Sequence, residues 1–337
     1  MPMSGISDVA ALEACVGRVP GPRDLKVITY LDDSATRWIA ASPCLFAAFG
    51  NPVDIAVSAG GGEPGFVRVD GQGRLSIPRG SLDDAQIARV GHGFGSLFLA
   101  PGMDETLRVN GRVSAITEDW ITIAVEECYL HCAKALIRSD FWAAQPCAEA
   151  PQDDPSAHLA ASRFMALATV DSDGRADLSP KGDPAGALLK RVEGDVWYPD
   201  RPGNRRVDSF RNILTQPRIA ALALIPGVAS IALITGSASL FTDESVRAEF
   251  AVNDRTPKLV TRIEQVRLRT YRSEALLRAR LWPVTRTAEG LDPAEIFKTH
   301  VKLSRTGGVA AALARATVSI PGMVRKGLES DYKNNLY

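Results

Sequence analysis

The chain repeats itself. SAGGGEPGFVRV, from Ser58 to Val69, reappears in altered form as SPKGDPAGALLK from Ser179, 121 residues later, and Pro78 and Pro199 keep that separation. LFLAPG, ending at Gly102, matches LALIPG, ending at Gly227, with a separation of 125. KALIRSDFW, ending at Trp142, matches EALLRARLW, ending at Trp282, with a separation of 140. Matches that stay in order across two length changes are what tandem duplication leaves behind. A chain of 337 residues is also long enough for two cores. Between the copies, AAQPCAEAPQDDPS from Ala143 to Ser156 has three prolines and no periodicity. The expected division is a first unit over 1–145, a linker over 146–155 and a second unit over 156–337.

Each unit reads as mainly β with peripheral helices. In the second, Phe164 to Val170 is an apolar run closed by the turn Asp171-Ser172-Asp173-Gly174. Leu188–Val192, Val196–Tyr198, Ile219–Ile225, Ser230–Phe241 and Leu259–Tyr271 follow as further strands. Short strands punctuated by Gly and Pro predict a small barrel. Ser7 is the expected cap of a helix over Asp8–Cys15, and Asp32 or Asp33 starts one reaching Ala41. Val207, Phe210, Ile213 and Leu214 lie at helical spacing within a helix expected from Asn204. Glu295–Ala316 and the last fifteen or so residues also read as helical, packed across a barrel end.

Composition removes several classes of partner. Lys+Arg and Asp+Glu balance at 39 each, so no global field draws the chain to nucleic acid or anionic lipid. The N-terminal residues lack the basic and apolar segments of a signal peptide. The most apolar stretch, Ile219–Phe241, is split by Pro226-Gly227 into strand-length pieces, which is not a membrane span. Five scattered cysteines fit a reducing, cytoplasmic setting. Cys128 and Cys132 are four apart without a second pair to complete a zinc site, so no metal is expected.

The chemistry concentrates in YPDRPGNRRVDSFRN, from Tyr198 to Asn212. A strand end, a Pro-Gly turn and a helix start bring Arg201, Arg205, Arg206 and Arg211 together. Exposed N–H groups, the positive dipole end and guanidinium groups make a phosphate site. The same residues also read as a solvated, charge-rich turn, and spacing alone leaves both readings open.

RADLSPKGDPAG and WYPDRPGNRRVDSFRNILTQPRIAAL resemble the pyridoxamine 5'-phosphate oxidase-like FMN-binding split-barrel family. VNGR at Val109–Arg112 and YLHCAKALIRSDFW at Tyr129–Trp142 resemble its later strands, and the closing LESDYKNNLY resembles its C-terminal helix. The resemblance covers nearly the whole chain, twice over. It implies two split β-barrels fused as an intramolecular pseudo-dimer, with FMN as cofactor. The phosphate contacts it implies are Lys181, Asn204, Arg205, Arg206 and Ser209, with Ser179, Gly182 and Asp183 lining the flavin. His131 falls on the strand that in the family reaches the flavin and substrate of the neighbouring subunit. By itself that residue would read as a partly buried histidine.

The copies have decayed in complementary ways. Asn204, Arg205 and Arg206 correspond to Asp83, Asp84 and Ala85, and Lys181 corresponds to Gly60. Two carboxylates would repel a phosphate dianion. Conversely, Arg108, Asn110, Arg112, His131 and Lys134 correspond to Leu233, Thr235, Ser237, Tyr271 and Glu274. In the family each site is built across the dimer interface, so the expectation is one complete site, made from the second-unit loop and the first-unit strands.

The expected activity is an FMN-dependent oxidoreductase acting on a small, anionic or carbonyl-bearing substrate, with NADH or NADPH as a candidate partner. His131, Lys134 and Arg108 are the candidate catalytic residues, with Arg138 on the same basic rim. True pyridoxamine-phosphate oxidation is not expected, because the family's Arg-Leu-His-Asp-Arg strand is here Tyr-Leu-His-Cys-Ala. A non-catalytic flavin module, a deazaflavin protein and a haem-binding relative with His131 on iron are the alternatives.

Overall fold

The computed structural model describes residues 4–17, 25–147, 154–203, 207–304, 307–320 and 322–337. The first part of the chain forms β1 (Gly5–Ile6), α1 (Val9–Val16), α2 (Asp33–Ala41), β2 (Cys44–Asn51), β3 (Asp54–Gly61), β4 (Arg68–Val69) and β5 (Arg74–Pro78). It continues with β6 (Gly93–Leu99), β7 (Thr106–Ile116), β8 (Trp120–His131) and α3 (Lys134–Arg138). The second part forms α4 (Pro155–Ala161), β9 (Phe164–Val170), β10 (Ala176–Gly182), β11 (Lys190–Val192), β12 (Asp195–Pro199) and α5 (Asp208–Thr215). Then come β13 (Arg218–Leu224), β14 (Ser230–Phe241), α6 (Glu244–Ala248), β15 (Val260–Arg272) and α7 (Glu274–Ala279). Three helices close the chain: α8 (Pro293–Leu303), α9 (Val309–Val318) and α10 (Met323–Asn334).

The duplication is visible in the sheets. One runs β3-β2-β6-β7-β8-β5-β4 and the other β10-β9-β13-β14-β15-β12-β11, antiparallel throughout and in the same order once corresponding strands are matched. β1 adds to β14. The fold is two split barrels back to back.

Period-2 alternation explains why the central strands are apolar on both faces. On β2, Leu45, Ala47 and Phe49 enter the first barrel's own core, while Cys44, Phe46 and Ala48 enter a core shared with the other barrel. On β9, Met165 and Leu167 point into the second barrel, while Phe164, Ala166, Ala168 and Val170 join the shared core. The helices after the last strands bring Leu136 and Leu276 into that shared core, and the turn after α3 adds Phe141. Trp142 donates to the Met103 carbonyl and Trp282 to the Phe141 carbonyl, each at 2.6 Å.

Glycines permit this contact. A Cβ on Gly182 would collide with the Ala135 carbonyl of α3, and one on Gly61 with the Ala275 carbonyl of α7. The two approaches are related by the pseudo-two-fold.

Several expectations shift. β10 is a strand beyond those expected for the second unit; it lies at the sheet edge, where Pro180 costs no ladder bond. The α1 cap is Asp8, not Ser7, with the Asp8 carboxylate accepting from Ala11 N–H at 2.8 Å. The HCAKAL stretch, expected on a strand, leaves β8 at His131 and turns into α3. The helix expected from Glu295 to Ala316 is two helices, α8 and α9.

The chain ends also exchange partners. Leu12 and Val16 of α1 pack in the second barrel's core, although they fall within the first unit expected over 1–145. Ile296 of α8 packs in the first barrel's core, and buried His300 faces Asp32 at 3.3 Å. The linker segment 148–153 lies outside the described residues.

Candidate functional site

A cavity of about 340 Å³ opens between the barrels. The first barrel contributes Arg108, His131, Cys132, Lys134 and Arg138, from the ends of β7 and β8 and from α3. The second contributes Ser179, Lys181, Gly182 and Asp183 from the end of β10, Arg201 after β12, and Ser209 from the first turn of α5. Of the residues expected to meet across the barrels, Arg108, His131 and Lys134 of the first and Ser179, Lys181, Gly182, Asp183 and Ser209 of the second line this cavity, whereas Asn110 and Arg112 do not.

Asn204, Arg205 and Arg206 lie outside the described residues. α5 begins at Asp208 rather than at Asn204, and its cap position is Val207 at φ +52°. A β-branched residue in the left-handed region is unfavourable, and such positions gather at functional sites.

Lys181 is the unusual charge. Its ammonium lies 4.8 Å from the centre of the Phe210 ring and 6.0 Å from that of Tyr198, with no ion pair among the described residues. Burial pushes it below the usual lysine range, against the opposing pull of Asp200. A half-buried cation with no ion pair among the described residues suits an anionic ligand. Among the described residues, seven cationic side chains line the cavity (Arg108, Lys134, Arg138, Lys181, Arg201, Arg255, Lys258) against three carboxylates (Asp183, Asp200, Asp208).

Some of that charge is already used. Arg108, expected on an accessible rim, is 1% exposed. It donates to Asp177 at 2.7 Å, to the Tyr129 hydroxyl at 2.8 Å, to the Leu178 carbonyl and to Ser179 Oγ at 3.3 Å. Asp177, Leu178 and Ser179 belong to β10, so the guanidinium ties the barrels together. Lys134 is likewise buried and pairs with Asp331 of α10 at 2.9 Å.

Asp183, expected against the flavin, is fully buried and accepts from Arg201 Nε at 2.8 Å, with Arg138 3.8 Å away. Burial raises its pKa, and the two arginines oppose that rise. Arg138 also donates to the Gly182 carbonyl at 2.8 Å. Gly182 itself is a contact point for α3. His131 ends β8, opposite Thr106, and remains half-buried at the cavity wall.

The opposite cavity has diverged. It contains Asp83, Asp84, Leu233, Thr235, Tyr271 and Glu274, all anticipated, together with Arg269, Arg272 and Arg278. Asp83 accepts from Ser273 Oγ at 2.6 Å and from Ala275 N–H at 2.8 Å, so this loop caps α7. At Gly60, the counterpart of Lys181, a Cβ would already meet Leu82 and Leu45.

Sequence reading missed three participants: Arg201 as the partner of Asp183, Asp331 as the partner of Lys134, and Tyr337. The Tyr337 ring sits 5.5 Å from the Arg201 guanidinium and 5.9 Å from that of Arg138, at the cavity edge. No local pattern signals any of them, because their partners are far away in the chain.

Residues 155–284 match the family model for pyridoxamine 5'-phosphate oxidase. No curated protein matches the chain. Similar solved structures include HupZ of Group A Streptococcus, 18% identical over 33% of this chain and 84% of that one, with a TM-score of 0.27. General Stress Protein 26 of Bacillus anthracis strain Sterne is 14% identical over 35% of this chain and 95% of that one, also at 0.27. The family match therefore falls on the second copy, and the first copy repeats its strand order.

Proposed function

We propose that the chain is a flavoprotein that binds one FMN in the cavity between its barrels and acts as an oxidoreductase on a small molecule. The observation that carries this reading is the asymmetry of the two inter-barrel cavities. One has excess cationic side chains, with Lys181 half-buried and in no ion pair among the described residues; the other sets Arg269, Arg272 and Arg278 against Asp83, Asp84 and Glu274. A cavity of about 340 Å³ is also within the range of roughly 300–1,000 Å³ usual for cofactor sites.

Lys181 and Ser209 would hold the phosphate at the second-barrel end, with Asn204, Arg205 and Arg206 added by the family resemblance. His131 would stand at the other end, beside the reacting ring. Arg108, with its bonds to Asp177 and Ser179, fixes the cavity wall, and the Lys134–Asp331 pair fixes α10 against it. Lys134 and Arg108 are therefore positioning residues in this reading, and His131 is the catalytic candidate. A bound flavin supplies hydride or electron transfer, while the protein supplies orientation and charge.

The test is the absorption spectrum of the purified protein with its released cofactor, followed by reduction with NADH or NADPH. The expected result is a flavin spectrum with one FMN per chain. Two flavins per chain would refute the asymmetry argument, and a Soret band would replace flavin by haem.

A further inference from the structure

One edge of the cavity between the barrels is covered by Leu336 and Tyr337, which follow α10. Arg138 of the first barrel donates to the Leu336 carbonyl at 2.8 Å, and Arg255 of the second donates to the Tyr337 carbonyl at 3.2 Å. The Tyr337 ring lies within cation–π reach of Arg138 and Arg201, one guanidinium from each barrel. These arginines and Tyr337 all line the cavity. Two residues beyond α10 therefore contact three of the seven described cationic side chains around it.

The helix that carries them there is lightly attached. No side chain of α10 is fully buried. Val324 packs at the margin of a small cluster formed by Leu25, Val301, Ala311 and Val318. Towards the first barrel, Asp331 pairs with Lys134 at 2.9 Å and the Tyr332 hydroxyl donates to Glu105 at 2.9 Å. A segment with so few buried apolar contacts opens at low cost while the rest of the fold stays intact. Opening also strands no charge. Arg201 keeps Asp183 at 2.8 Å, and Arg138 keeps the Gly182 carbonyl at 2.8 Å.

We infer that Leu336 and Tyr337 are a gate over the cavity between the barrels, and that a ligand enters or leaves when α10 lifts them off Arg138, Arg201 and Arg255. Contacts to both barrels place the two residues across the rim rather than along one wall. A closure of this kind sets the rate of exchange more than the affinity, because it covers the cavity before and after the ligand is seated. As a gate for FMN it rests on the flavin site proposed above; as a closure of the cavity it does not.

Two readouts on the full chain test the gate, and only one needs flavin. Cys132 lines the cavity, so its labelling by N-ethylmaleimide reports access, while fully buried Cys44 and Cys128 report unfolding. In the unaltered chain Cys132 should label at least tenfold more slowly than exposed Cys147. Tyr337→Ala and Asp331→Asn should each speed Cys132 labelling at least fivefold, with Cys44 and Cys128 still protected. Tyr337→Phe, which keeps the ring, should label like wild type. In stopped flow, Tyr337→Ala and Asp331→Asn should raise the FMN association and dissociation rates together, at least fivefold, with the dissociation constant changed less than threefold. Unchanged Cys132 labelling in both folded variants overturns the inference. So does faster FMN dissociation with affinity lost in proportion, which would make Tyr337 an ordinary contact of the ligand. Labelling of Cys132 as fast as Cys147 in wild type overturns it even if both variants misfold. If wild type binds no FMN, the flavin site falls and the labelling alone decides the gate.

Discussion

Replacing Lys181 by Met removes one charge from the proposed phosphate end while keeping the length and apolar stem of the side chain. The ammonium is half-buried against Phe210 and Tyr198 and has no ion pair among the described residues, so a bound phosphate would be its direct counter-charge. A charge-assisted hydrogen bond contributes about 1.5–3 kcal/mol and 1.4 kcal/mol is tenfold, so FMN should bind on the order of 10- to 100-fold more weakly. Lys258→Met is the control. Lys258 lines the same cavity but is exposed, and an exposed charge is worth only about 0–1 kcal/mol.

The pH dependence has a defined sign. The Lys181 pKa is lower folded than unfolded, so its burial costs stability at every pH below the folded value. That cost disappears as pH rises through the folded pKa towards the unfolded value of about 10.4. Flavin-free wild type should therefore gain stability across this alkaline window, and Lys181→Met should lack the gain. FMN affinity in wild type should fall over the same window, as the ammonium is lost. Flavin fluorescence titration and urea unfolding at several pH values measure both effects. If Lys181→Met binds FMN like wild type, or Lys258→Met weakens it equally, the phosphate site is not at Lys181.

Arg108→Met should destabilise the fold by about 3–5 kcal/mol, because it leaves Asp177 buried without its charge partner. A urea midpoint consistent with less than about 1 kcal/mol would show that the pair is exchanging with solvent. Gly182→Ala forces a Cβ into the Ala135 carbonyl and should cost about 1–3 kcal/mol, whereas Gly73→Ala, with open space around it, should stay within about 0.5 kcal/mol. Thermal unfolding of the two variants side by side tests whether the barrels meet as closely as described. His131→Ala should retain FMN but shift its reduction potential in spectroelectrochemical titration; an unchanged potential places the imidazole away from the reacting ring.

The sequence alone determined a great deal about this protein because duplication prints the same pattern twice. β9 and β14 run over the residues expected, since apolar runs closed by Gly and Pro turns are local signals. The complementary loss of Lys181 in one copy and of His131 in the other was also legible, because each is a single-position difference between aligned copies. The use made of each charge was not. Arg108 and Lys134 read as a basic rim, yet Asp177 and Asp331 hold them, and those carboxylates arrive from the other barrel and from α10. Nor does chain order reveal that α1 packs on the second barrel while α8 covers the first. Hydrophobic periodicity says that a face must be buried, but not against which surface. That choice is made by shape and charge complementarity between segments far apart in the chain, and only the tertiary structure brings them together.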